Sequence, residues 1–149
     1  MQILRGVLET KDHEKIAYVH HNLSHDEVIV VAPGFLTSKD TFSMEKTAEI
    51  LRDHFDVIVF DFRGHGESSG LFTWTSKEEE DLDVVLRYAR SKYRRIGILG
   101  VSLGGATALI WASRHNPVDA ITLVSAPSDF WKIDYHFWEK GMLKDLLSN

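Results

Sequence analysis

The chain reads as an α/β protein with a mostly parallel sheet and helices on both faces, and three observations predict it. Short β-branched runs recur along the chain, stretches with apolar residues at helical spacing lie between them, and Pro/Gly breakers separate the two. Residues 2–8 and 15–21 open the chain as strands around the polar turn Lys11-Asp12-His13-Glu14. Residues 27–32, Glu-Val-Ile-Val-Val-Ala, are apolar without alternation, as a strand buried on both faces requires, and Pro33-Gly34 ends the run.

Residues 43–53 then predict a helix with Met44, Ala48 and Leu51 on one face. Residues 56–61 form a second buried strand that enters the glycine-rich loop 63–70. Ser76, with Glu79 three residues on, has the spacing of a capping box and predicts the start of a helix carrying Leu82, Val85, Leu86 and Ala89 on its inner face. Residues 95–100 are a third buried strand, 103–114 a helix, and 120–125 a fourth buried strand. Strands alternating with amphipathic helices imply right-handed crossovers. No repeat or low-complexity segment interrupts the series.

The 149 residues suit one domain with its own core. The absence of cysteine excludes disulfides, thiolate metal sites and a cysteine nucleophile. A net charge of −5 argues against a nucleic-acid partner. The one basic cluster (Arg87, Arg90, Lys92, Arg94, Arg95) follows an acidic one (Glu78 to Asp81, and Asp83), so both read as the solvated ends of a helix arranged to suit its dipole. His20, His21 and His25 lack metal-ligand spacing and read as a solvated turn, so neither a metal nor a cofactor is implied. No apolar run has the length of a membrane span or signal peptide, and a cytoplasmic location is expected.

The chemistry lies in Gly100-Val101-Ser102-Leu103-Gly104. Three fixed positions of this kind arise by chance in about one chain of this length in twenty. The setting makes the pattern specific: it ends a buried strand and opens a helix, where the serine occupies a strained turn and side chains at positions 100 and 104 would clash with neighbouring backbone. Two other motifs are weaker. Gly64-x-Gly66-x-x-x-Gly70 has one residue too many for a dinucleotide fingerprint, and no helix starts close behind it. His65, in the same loop, reads as a hydrogen-bonding brace before it reads as a catalytic base.

Three segments, Val30-Val-Ala-Pro-Gly-Phe35, Asp61-Phe-Arg-Gly-His-Gly-Glu-Ser68 and Gly100-Val-Ser-Leu-Gly-Gly105, resemble successive signature segments of the α/β-hydrolase family. The resemblance spans residues 7–127 and is nearest to the esterase, lipase and monoacylglycerol-lipase-like branch, including the serine aminopeptidase-type members. It implies an α/β-hydrolase fold with Ser102 as nucleophile. The backbone N–H groups of Phe35 and Leu103 would form the oxyanion hole. Most members carry His-Gly where this chain has Pro33-Gly34, a change that leaves a main-chain donor intact. Ser102 argues against the dehalogenase and epoxide-hydrolase members, which have Asp there.

The resemblance divides the chain into a core, residues 1–128, running to about the sixth strand, and residues 129–149, the start of a cap or lid. That last segment is dense in Phe130, Trp131, Tyr135, Phe137 and Trp138. A serine hydroxyl needs a base to take its proton and an acid to orient that base, and in this family both follow the serine, after the seventh and eighth strands. Neither strand is predicted here. The 149 residues are therefore expected to be the N-terminal part of a longer hydrolase, with Asp129 and His136 as weak candidates for a local pair. Two classes of function remain open. One is a serine hydrolase that cleaves a carboxylic ester, thioester or small amide of a small-molecule acyl substrate. The other is a non-catalytic fragment or ligand-binding module.

Overall fold

The computed structural model describes residues 2–115 and 118–128. In chain order these form β1 (Gln2–Glu9), β2 (Lys15–Asn22), β3 (Glu27–Ala32), α1 (Phe42–Leu51), β4 (Asp56–Phe60), α2 (Glu78–Arg90), β5 (Arg95–Val101), α3 (Leu103–Arg114) and β6 (Ala120–Val124). One sheet runs β1-β2-β4-β3-β5-β6. The first three strands in that order pair antiparallel, and β4, β3, β5 and β6 are parallel, as the β-α-β alternation predicted.

The period-2 alternation of the central strands splits the core into two layers. Val28, Val30, Ile58, Phe60, Ile96 and Ile98 face α2 and α3, where Leu82, Val85, Leu86, Ala108 and Trp111 meet them. Val31, Val57 and Val59 face the other way onto Met44 and Ala48 of α1. Residues buried on both sides explain why β3 and β4 read as unbroken apolar runs.

Four expectations are corrected. β6 is not a buried strand: among the described residues it pairs only with β5, and Leu123 and Val124 are exposed on this edge. Ser76 does not cap α2. Its hydroxyl donates to the Thr73 carbonyl, and the helix begins two residues later, at Glu78. The N-cap position is Lys77, with no side-chain cap; the turn before it is held by Thr73, which accepts the Lys77 N–H on Oγ1 while the Glu78 carboxylate accepts the Thr73 N–H and hydroxyl.

The acidic end of α2 is not solvated either. Glu78 and Asp81 are fully buried, because Asp81 holds the Arg63 guanidinium and Glu78 binds Thr73 in the preceding turn. His20 and His21 lie within β2 rather than in a turn. His20 is buried between the Tyr88 and Tyr93 hydroxyls, at 3.1 and 2.7 Å. Asp129, His136 and the aromatic segment 129–149 lie outside the described residues.

Candidate active site

Ser102 sits between the end of β5 and the start of α3 with φ 49° and ψ −115°. An L-residue is strained there; the pair matches the second position of a mirror-image type II turn, which glycine usually takes. The surroundings hold it in place. The Ser102 N–H donates to the Val124 carbonyl at 2.8 Å, and its own carbonyl accepts from Gly105 and Ala106 at 3.0 and 3.1 Å. A Cβ on Gly104 would fall 2.1 Å from the Ala32 carbonyl oxygen, and one on Gly100 would fall 2.6 Å from the Gly105 Cα. Both glycines are there for close approach of backbone to backbone. Leu103 is the first residue of α3, so no intrahelical acceptor exists for its N–H.

The turn after β3 lies against this serine. The Cβ position at Gly34 is 3.4 Å from the Ser102 Cβ. The turn runs from Gly34 to Thr37 and is closed by the Thr37 N–H on the Gly34 carbonyl at 3.3 Å. Phe35 is the second residue of this turn, next to the Gly34 that abuts Ser102.

Behind the turn, two loops are tied by the buried carboxylate of Asp61, which sequence reading passed over. Its Oδ1 accepts the Lys39 N–H at 2.6 Å, and its Oδ2 accepts the Lys39 ammonium at 3.1 Å and the Glu67 N–H at 2.9 Å. Burial opposes the Lys39 charge, but Asp40, Glu67 and Asp61 outweigh it and hold the ammonium above the ordinary lysine range. The signal available was a carboxylate just past the apolar run 57–60, which demands a partner when buried.

A second tie joins Arg63 to Asp81 and Asp12, at 2.7 and 2.8 Å. Hydrogen bonding to Arg63 holds the Asp12 carboxyl well below the usual carboxylate range. His65 bridges the loops: Nε2 accepts the Leu36 N–H at 3.0 Å and Nδ1 donates to the Arg63 carbonyl at 3.1 Å. Both ring nitrogens are thus engaged by backbone.

Aromatic rings gather on the solvent side of the turn. Phe35 packs on Phe72 and Trp74 with centroids 4.8 and 5.3 Å apart. Leu36 and Leu71 are exposed around them, at 61% and 82%. Sequence reading missed this set because Phe72 and Trp74 lie in a loop without periodic pattern. Among the described residues, no histidine hydrogen-bonds the Ser102 hydroxyl; His115, at the far end of α3, is bound to Glu79 at 2.9 Å. No helix of the described residues is long and apolar enough to cross a membrane.

Comparison with known proteins agrees with this architecture. Residues 27–147 match the family model for the alpha/beta hydrolase fold. Lysophospholipase L2 of Escherichia coli is 29% identical over 112 residues, which cover 68% of this chain and 33% of that protein. Human serine hydrolase BPHL is 30% identical over 98 residues, covering 60% of this chain and 32% of that one. The chain thus spans about a third of the length of the curated relatives it matches. A crystal structure of the Pyrococcus furiosus esterase Pf2001 superposes with a TM-score of 0.77 at 26% identity, over 85% of this chain and 51% of that one. With the family match covering most of its length and the sheet order and strained strand-to-helix turn in place, this chain belongs to the α/β-hydrolase fold family.

Proposed function

We propose that this chain supplies the nucleophile and oxyanion hole of a serine hydrolase acting on a carboxylic ester, with thioesters and small amides as chemically equivalent substrates. The observation that carries the reading is the strained backbone of Ser102 at the junction of β5 and α3, with the Gly34 turn packed against it. Strain of this kind persists where the surrounding structure enforces it, and a serine presented there is held for chemistry.

In this mechanism the Ser102 Oγ attacks the acyl carbon while a general base takes its proton. The carbonyl π electrons move onto oxygen, and the backbone N–H groups of Phe35 and Leu103 donate to the resulting oxyanion. Collapse expels the alcohol, which leaves with the proton from the base. Water then attacks the acyl-serine by the same route, releasing the acid and restoring the hydroxyl. The base and its orienting acid belong outside the described residues. The aromatic faces of Phe35, Phe72 and Trp74, with exposed Leu36 and Leu71, favour an apolar acyl group over a charged one.

A fluorophosphonate probe tests this on the intact protein. The expected result is a single adduct on Ser102, lost in Ser102→Ala, together with turnover of a p-nitrophenyl ester. An unlabelled Ser102 in folded protein would leave the non-catalytic ligand-binding reading in its place.

A further inference from the structure

The turn that carries Phe35 is in a backbone state that its own residues do not favour. Leu36, third of the four turn residues, has φ +57°, while Phe35 before it is not left-handed. That sign pattern of φ, with the Thr37 N–H on the Gly34 carbonyl, matches a type II turn, whose third position normally belongs to glycine or asparagine. Leu36 is 61% exposed, so burial of its side chain does not explain the choice.

Hydrogen bonds to the central peptide do explain it. The Leu36 N–H donates to His65 Nε2 at 3.0 Å, and the carbonyl of the same peptide, on Phe35, accepts the Thr37 hydroxyl at 3.3 Å. A flip of the peptide would break both bonds. The Arg63 carbonyl can only accept and the Leu36 amide can only donate, so the His65 proton is fixed on Nδ1 and its lone pair on Nε2. The ring is wedged edge-on against Phe35 and Phe72, with centroids 5.7 and 5.3 Å away. Its anchor is rigid in turn, because the backbone N–H and guanidinium of Arg63 both bind the buried Asp81 carboxylate.

We propose that His65 is a positioning residue for acyl transfer: by accepting the Leu36 N–H it holds the oxyanion turn in its type II state and so fixes the aim of the Phe35 N–H. The proposal rests on the reading of Phe35 as an oxyanion donor. The Gly34 carbonyl that closes the turn belongs to the same peptide as the Phe35 N–H, so a change in the turn re-aims the donor. The same geometry removes His65 from consideration as the general base, since both its nitrogens are committed to backbone.

Two substitutions separate positioning from general support. In His65→Asn the amide replaces Nδ1 and can still donate to the Arg63 carbonyl, but nothing reaches Leu36. In His65→Gln a carbonyl oxygen stands where Nε2 was and can accept the Leu36 N–H. For ester hydrolysis by the intact protein, His65→Asn is expected to lower kcat about 100-fold with KM within about twofold, the pattern of an interaction made only in the transition state. His65→Gln is expected to restore kcat to within about tenfold of the parent. Hydrogen exchange at the Leu36 amide should accelerate at least about tenfold in His65→Asn and less in His65→Gln.

Parent-level kcat in His65→Asn, or equal losses in both variants that follow their melting temperatures, overturns the proposal while the nucleophile reading stands. Absence of Ser102-dependent turnover in the parent protein overturns both. An unchanged Leu36 exchange rate in His65→Asn overturns the positioning role whatever the activity.

Discussion

Lys39 and Asp61 bind each other twice, through the Lys39 N–H on Oδ1 at 2.6 Å and the ammonium on Oδ2 at 3.1 Å, with both side chains out of water. Because the Glu67 N–H shares the same carboxylate, the loop after β3 and the loop after β4 are fixed to one point behind the Gly34 turn. Asp61→Asn leaves the ammonium buried with one ligand weakened. It is expected to cost about 3 kcal/mol in urea unfolding. Glu67→Gln, whose side chain is 70% exposed, should cost less than about 1 kcal/mol. Equal costs for the two would mean that the buried carboxylate is not the keystone.

Ser102 carries strain that glycine would not feel. Ser102→Gly is therefore expected to be more stable than the parent by about 1 kcal/mol, with any hydrolase activity gone. Ser102→Ala keeps the Cβ and should show no such gain. Thermal unfolding of the three proteins decides the matter, and a destabilised glycine variant would refute the claim of strain.

Gly104→Ala places a Cβ 2.1 Å from the Ala32 carbonyl oxygen, where rigid backbone lies on both sides. Overpacking of that kind should destabilise the protein by about 3 kcal/mol. A variant that unfolds at the parent's urea midpoint would show that the elbow and β3 are less tightly apposed than described.

Proline is favoured at the second position of a type II turn, so Phe35→Pro should be accepted by the backbone while deleting the donor N–H. The expected loss in kcat is about 100-fold or more beyond that of Phe35→Ala, which removes the ring alone. If the two variants have the same kcat, Phe35 is not an oxyanion donor.

His20 and His21 are both held below the ordinary histidine pKa, chiefly by burial in β2. The unfolded chain then binds protons more readily than the folded one as pH falls below about 6.5. Stability from these groups is complete above that value and is lost on acidification. Urea midpoints measured at pH 7.5 and 5.5 should fall toward the acid side, and the fall should shrink in His20→Asn. A pH response identical to the parent's would assign the effect to other groups.

Sequence alone determined what local sterics and periodicity encode. The apolar runs marked β3, β4 and β5 as strands buried on both faces, while the same pattern in β6 did not reveal that Leu123 and Val124 lie exposed on an edge. The glycines at 100 and 104 marked a turn in which backbone packs on backbone, and the capping signal located α2 to within two residues. Partners distant in the chain were beyond its reach. Ser76 does not cap α2, because the turn before the helix is held by Thr73, to which the Glu78 carboxylate turns back. His20 is buried because two tyrosines from α2 and the loop after it close over β2. The charge at the start of α2 is paired because Arg63 arrives from another loop. Leu36 is left-handed because His65, 29 residues away, accepts its amide proton. Each depends on where a second segment lies after folding, and burial then makes the pairing obligatory.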